Sequence, residues 1–128
     1  MIILGTGIDA TEIDRIAQTI ERYGDRFVQR IFTEGEAAYC RRHRDPVPSF
    51  AARFAAKEAG MKALGTGHSR GVLWRDIEVV RHGGPPQLRL HGTAARLFEQ
   101  LGGRSTLLTL THSRSLAIAH VLLIGEPR

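Results

Sequence analysis

The stretch Phe54-Ala55-Ala56-Lys57-Glu58-Ala59-Gly60-Met61-Lys62-Ala63-Leu64-Gly65 decides how this chain is read. Ala, Lys, Glu, Met and Leu are strong helix formers, so the block is the second half of a long helix. Ser49 is placed to cap its start. Gly65 is placed to end it, because glycine enters the left-handed region without steric penalty. Phe50, Phe54, Met61 and Leu64 recur at helical spacing and predict one apolar stripe. Glu58 and Lys62 are four residues apart and share a face. Alone, that pair reads as a surface salt bridge worth a few tenths of a kcal/mol. The sharper reading is a carboxylate for a metal beside an ammonium for a phosphate.

Working outward, Ile2 to Ile8 predicts a short buried strand. Gly5 and Gly7 allow a close backbone approach, and Asp9 stands at the strand's end. Thr11-Glu12-Ile13-Asp14 resembles a capping box, so a helix is expected from Thr11, ended by Tyr23-Gly24-Asp25. A second helix is expected over 25–32. A third follows the capping box Thr33-Glu34-Gly35-Glu36 and runs through Cys40. Asp45 to Pro48 reads as a connecting loop. Beyond the central helix, Gly65 to Gly71 is a glycine-rich loop that includes His68. Trp74 to Arg81 alternates as a half-buried strand, with Asp76 and Glu78 on the polar side. His82 to Pro86 is a turn, and Gln87 to His91 the return strand. Thr93 is expected to cap a helix through Leu101. Ser105 to His112 and Ser115 to Ile124 form a second hairpin. Strand, helices, then strands with one helix between predict an α+β fold, its mainly antiparallel sheet packed on the long central helix.

Length and composition bound the function. The 128 residues suggest a single domain spanning residues 1–128. Hydrophobic residues are 42% and charged residues 24%, which suits a globular protein and excludes a disordered one. The longest apolar runs are too short to span a bilayer, and the N-terminus lacks the pattern of a signal peptide. One cysteine, Cys40, leaves no intrachain disulfide. A cytoplasmic location is expected. The net charge of +5 favours an acidic partner, whether nucleic acid, anionic lipid, acidic protein or phosphorylated ligand. Aromatics are only 6% and do not interleave with basic residues, which weakens single-strand nucleic-acid binding. The Arg41-Arg42-His43-Arg44 cluster suits the solvated end of a helix.

Three residues carry the chemistry together, though each has a bland reading alone. Asp9 at a strand end is most often a cap or turn residue. Glu58 alone is a surface residue. His112, in Leu110-Thr111-His112-Ser113, is alone more often structural than catalytic. Taken together, the Gly7-Ile8-Asp9 opening, the block from Phe54 to Gly67 and the Leu110 to Ser113 end resemble the holo-[acyl-carrier-protein] synthases. These are the small, single-domain type of 4′-phosphopantetheinyl transferase. The resemblance runs from Ile3 to about Val121. It includes Phe32-Thr33 with Glu36, the stretch Trp74-Arg75-Asp76-Ile77-Glu78-Val79, and Gly84-Pro85.

The resemblance implies transfer of the phosphopantetheinyl arm of coenzyme A to a serine of apo-acyl carrier protein, Mg²⁺-dependent, in fatty acid biosynthesis. Asp9 and Glu58 match the family's metal-ligating carboxylates. Glu58, Lys62 and His112 match its catalytic positions. Lys62, Gly65, Thr66, Gly67 and His112 match its coenzyme site. Arg15, Arg22 and Arg26 match basic positions that face the acidic carrier. The family is usually a homotrimer with active sites between subunits. The proton acceptor is left open among a metal-bound water, Glu36 and His112. Gly60 departs from the family's usual larger residue.

The residue types suit such a reaction. Phosphoryl-type transfers are mostly positioning plus electrostatic stabilisation, and Mg²⁺ takes one or two carboxylates together with phosphate oxygens and waters. The competing readings are a basic nucleic-acid-binding module, a non-catalytic coenzyme A-binding homologue, and a zinc site from Cys40, His43 and His82 or His91, whose spacing matches no tetrahedral motif.

Overall fold

A computed structural model of the chain describes residues 1–67 and 69–128. His68, read above as part of the glycine-rich loop, lies outside the described residues. The elements in order are β1 (Ile2–Glu12), α1 (Ile13–Tyr23), α2 (Asp25–Ile31), α3 (Glu34–Arg41) and α4 (Val47–Leu64). A 3₁₀ turn (Trp74–Asp76), β2 (Ile77–Val80), β3 (Gln87–Leu90), α5 (Gly92–Gln100), β4 (Gly103–His112) and β5 (Leu116–Gly125) follow. The expected α+β fold is what forms. An antiparallel sheet in the order β1-β5-β4 and a two-stranded hairpin β2-β3 surround α4.

α4 is the centre of the molecule. Gly65 ends it in the left-handed region at φ 78°, as its sequence position predicts. Its start differs from expectation. The helix begins at Val47 rather than Ser49, with Pro48 in its first turn, where an amide hydrogen is not needed. The amide of Val47 donates instead to Asp45 Oδ1 at 3.2 Å. The single apolar stripe is also replaced. Twelve of the 18 residues are buried, Arg53 and Lys57 among them, so the helix is covered almost all round. Phe50 joins one core cluster with Phe32 and Ile16, whereas Met61 and Leu64 join the other with Ile77 and Val121.

The sheet lies against a row of small residues on α4. β carbons at Gly5 and Gly7 would run into the carbonyl oxygens of Ala63 and Ala59. Only glycine lets the two backbones touch there. Gly60 has a similar role on another side, since a β carbon there would sit 3.1 Å from Ile77 Cγ2. Its departure from the family pattern therefore coincides with close packing against β2.

Further local expectations are overturned. β1 is not a buried strand, since Ile2, Ile3 and Ile8 are exposed, and Thr93 does not cap α5, whose N-cap is His91. Thr11 does not cap a helix. β1 continues to Glu12, opposite Leu116 on β5, and Thr11 is buried within it. Trp74 to Asp76 is a 3₁₀ turn and not strand. Asp76 is buried, its Oδ2 accepting from the Leu73 amide at 3.0 Å. The Thr33 capping box, by contrast, is fully formed: Thr33 Oγ1 accepts from the Glu36 amide and Glu36 Oε1 from the Thr33 amide.

Candidate active site

Because Gly5 and Gly7 press β1 onto α4, Asp9 arrives beside the face of α4 that carries Glu58 and Lys62. Lys62 Nζ donates to Asp9 Oδ1 at 2.8 Å and to the Ile8 carbonyl at 3.1 Å. Asp9 Oδ2 accepts a longer bond of 3.4 Å from Thr11 Oγ1, so the misread capping threonine steadies the aspartate instead. Lys62 remains 54% exposed at its side chain, against 12% for Asp9. The ammonium is thus open on the solvent side of the pair.

The electrostatics show that two carboxyl groups converge. Glu58 is held above the ordinary carboxylate range. Burial is the largest cause, the neighbouring Asp9 charge the next, and Lys62 opposes both. A carboxyl–carboxylate hydrogen bond with Asp9 favours the protonated form further. Lys62 is raised, first by its hydrogen bond to Asp9 and then by the Asp9 charge. Two like charges forced together with one cation are suited to a further cation. Hard oxygen donors from separate elements are what Mg²⁺ takes, with its other positions left to water and phosphate. Among the described residues no group of three or more His, Cys, Asp or Glu residues gathers for an all-protein metal cage.

The glycine loop leaves α4 after Leu64, less than one turn past Lys62. The amide of Gly65 donates to the Lys62 carbonyl at 3.0 Å, and Gly67 is again left-handed at φ 54°. Thr66 is buried and donates to the Gly67 carbonyl at 3.0 Å, which stiffens the turn. Arg15 on α1 lines a cavity of about 320 Å³ together with Glu58, Phe54 and Trp74. Arg26 on α2 lines the adjoining cavity. Arg22 lies over the Tyr23 ring, 5.3 Å from its centroid.

His112 is not brought to this cluster within one chain. It ends β4 opposite Ala117, whereas Asp9 on β1 pairs with Ala119 on β5. Two strand spacings and two residues along the strand separate them by roughly 12 Å. The histidine is exposed.

Glu36, one candidate proton acceptor, is fully committed elsewhere. It is 1% exposed. Its Oε1 receives Lys57 Nζ at 2.6 Å as well as the Thr33 amide, and its Oε2 receives the Val79 amide at 2.9 Å. This buried ion pair is the main feature that the sequence did not disclose. Lys57 Nζ also reaches the carbonyls of Trp74 and Ile77 at 3.2 and 2.6 Å. The adjacent Lys57-Glu58 dipeptide therefore points one charge into the core and the other at the cleft. A helical position surrounded by apolar residues was the available signal. The zinc alternative also falls. Cys40 is completely buried, and burial pushes its thiol up to about 11. Arg41 ties α3 to α2 through Asp25 at 3.0 Å.

Comparison with known proteins agrees with this geometry. The family model for the 4′-phosphopantetheinyl transferase superfamily matches residues 5–119, and the chain belongs to that superfamily. Its relatives there include holo-[acyl-carrier-protein] synthases. The one from Solibacter usitatus is 54% identical over 123 residues, covering 95% of this chain and 98% of its own. The crystal structure of the synthase from Neisseria meningitidis superposes with a TM-score of 0.86 at 31% identity, over 96% of this chain and 99% of that one. The synthase from Helicobacter pylori, solved in complex with coenzyme A, gives 0.82 at 28% identity, over 93% and 99%. The expected fold and enzyme class are thereby confirmed. Among the described residues no helix is long and apolar enough to cross a membrane.

Proposed function

We propose that this enzyme moves the 4′-phosphopantetheinyl group of coenzyme A onto a serine hydroxyl of apo-acyl carrier protein, releasing adenosine 3′,5′-bisphosphate, in fatty acid biosynthesis. The observation that carries the reading is the convergence of Asp9, Glu58 and Lys62 at one cleft. Asp9 and Glu58 fit a Mg²⁺ ion, which when bound supplies positive charge against the diphosphate. Lys62 supports the same phosphates as a point charge, its ammonium already directed at the site by Asp9. Charge that develops on phosphate oxygens during attack is met by groups fixed beforehand, which is the main source of rate in such transfers. The loop Gly65-Thr66-Gly67 lies one turn from Lys62 and flanks the nucleotide end of the coenzyme. Arg15, Arg22 and Arg26 face the acidic carrier.

The position of His112 favours a homotrimer in which the coenzyme site is completed by the histidine of a neighbouring copy. The outer face of the three-stranded sheet supports this association. Ile8 and Leu107 are 60% and 55% exposed there, and exposed apolar patches of this kind mark interfaces. Sedimentation equilibrium reads the assembly directly: three chain masses are expected, and one chain mass overturns it.

The reaction is tested by intact-mass spectrometry of an apo-acyl carrier protein incubated with the enzyme, coenzyme A and Mg²⁺. The expected result is a gain of one phosphopantetheinyl group, abolished by EDTA. A folded enzyme and competent carrier with no gain would overturn the reading, and a gain that survives EDTA would overturn the metal.

A further inference from the structure

Three neighbouring cavities share lining residues, and the first of them reaches Glu58. The first contains Thr19, Phe27, Glu58 and Trp74 in its lining. The second shares Thr19 and Phe27 and adds Tyr23, Arg26 and Arg30. The third shares Arg30 with the second and Trp74 with the first, and adds Val72, Leu73 and Arg75. One continuous surface therefore leads from Glu58 across α2 to the segment before β2. No carboxylate lines its second and third parts among the described residues, while Arg26, Arg30 and Arg75 do.

At the far end stands Leu73, 66% exposed. It is held firmly for an exposed residue. Its amide donates to Asp76 Oδ2 and its carbonyl accepts from the Asp76 amide, both at 3.0 Å. The next residue, Trp74, stacks on Phe54 with ring centroids 5.0 Å apart, and its carbonyl accepts from the buried Lys57. A leucine kept in water on a rigid turn, beside two guanidinium groups, is preorganised for a partner.

We propose that the carrier-protein docking surface extends beyond α1 and α2 onto this turn, with Leu73 as an apolar contact and Arg75 as its cation. The inference rests on the reading that the acceptor is an acidic carrier protein. The occupant it selects is an acidic helix that exposes an apolar side chain between carboxylates. Charge complementarity and continuity with the cleft at Glu58 both favour that occupant over a second copy of this basic chain.

The test uses Leu73→Asp and Arg75→Glu, singly and together, with Arg75→Lys and Leu73→Gln as mild counterparts. Transfer is measured by intact mass at varied carrier and varied coenzyme A, and binding by fluorescence anisotropy of labelled apo-carrier. Both side chains are exposed, so thermal melts should match the unmodified enzyme. The double variant should raise the carrier KM and Kd about tenfold, with kcat and the coenzyme A KM unchanged. Arg75→Lys should retain most affinity, and Arg75→Glu should flatten the salt dependence. Carrier KM and Kd within about twofold of the unmodified enzyme, a scatter of roughly 0.4 kcal/mol, would overturn the extended surface while leaving the transfer reading intact. An unmodified enzyme that neither binds nor modifies carrier would overturn both.

Discussion

Two lysines on α4, five residues apart, each meet a carboxylate, and the surroundings give them opposite properties. Lys57 and Glu36 are wholly buried, 2.6 Å apart, with their remaining polar capacity taken up by backbone groups. Burial holds the Lys57 ammonium below its ordinary range, although Glu36 pulls it back up. Lys62 and Asp9 are 2.8 Å apart at the mouth of a cleft, where the aspartate raises the lysine. The first pair is closed to any ligand. The second is open to one, with the Glu58 carboxyl beside it hydrogen-bonded to Asp9 and within the field of Lys62 and Arg15. The difference teaches that pairing distance does not separate structure from chemistry. Burial and the number of spoken-for lone pairs do.

Several substitutions would break or sharpen that contrast. Lys57→Met should have the largest effect on stability, about 3–5 kcal/mol, because it strands the Glu36 charge in the core. Urea unfolding measures it, and a double Lys57→Met, Glu36→Leu variant should recover much of the loss. Unchanged unfolding in the single variant would show that the buried pair is dispensable. Asp9→Ala should leave unfolding nearly unaltered but lower Mg²⁺-dependent kcat/KM by about 10²–10³-fold, read by steady-state transfer assays. Near-normal turnover would remove Asp9 from the site. Thr33→Ala should cost about 1 kcal/mol through the lost cap on α3, with kcat unchanged. A clear fall in kcat would instead link the buried network to catalysis.

The smallest effect is that of pH. The folded state holds the Glu58 proton more tightly than the unfolded chain does. Its ionisation therefore weakens folding as pH rises through the window from the ordinary carboxylate value to the raised one, and the penalty is absent below that window. Glu58→Gln should flatten this part of a melting-temperature profile taken in EDTA. A profile superimposable on that of the unmodified enzyme would argue against the raised value.

Much of this was legible beforehand because it is local. The Thr33 box, the Gly65 stop and the two hairpins depend on neighbours in sequence. So does the spacing of Glu58 and Lys62. Asp9 was placed by resemblance, and the structure supplies its reason in the glycines before it. What escaped notice depends on partners far along the chain. Thr11 has the signature of a cap, yet pairing with β5 outweighs it. Lys57 looks like any helical surface lysine until Glu36, 21 residues away, is seen beneath it. Asp76 has the alternation of a solvent-facing strand residue, but a turn buries it and its carboxylate accepts from the Leu73 amide.

The two glycines of β1 have a last consequence. Backbone touching backbone is the least compressible contact available, since no rotamer can give way. With Gly5 and Gly7 against Ala63 and Ala59, the gap between strand and helix has a fixed gauge. The spacing of Asp9 from Glu58 is inherited from that gauge, so the cleft's dimensions are set by two residues that contribute no side chain to it.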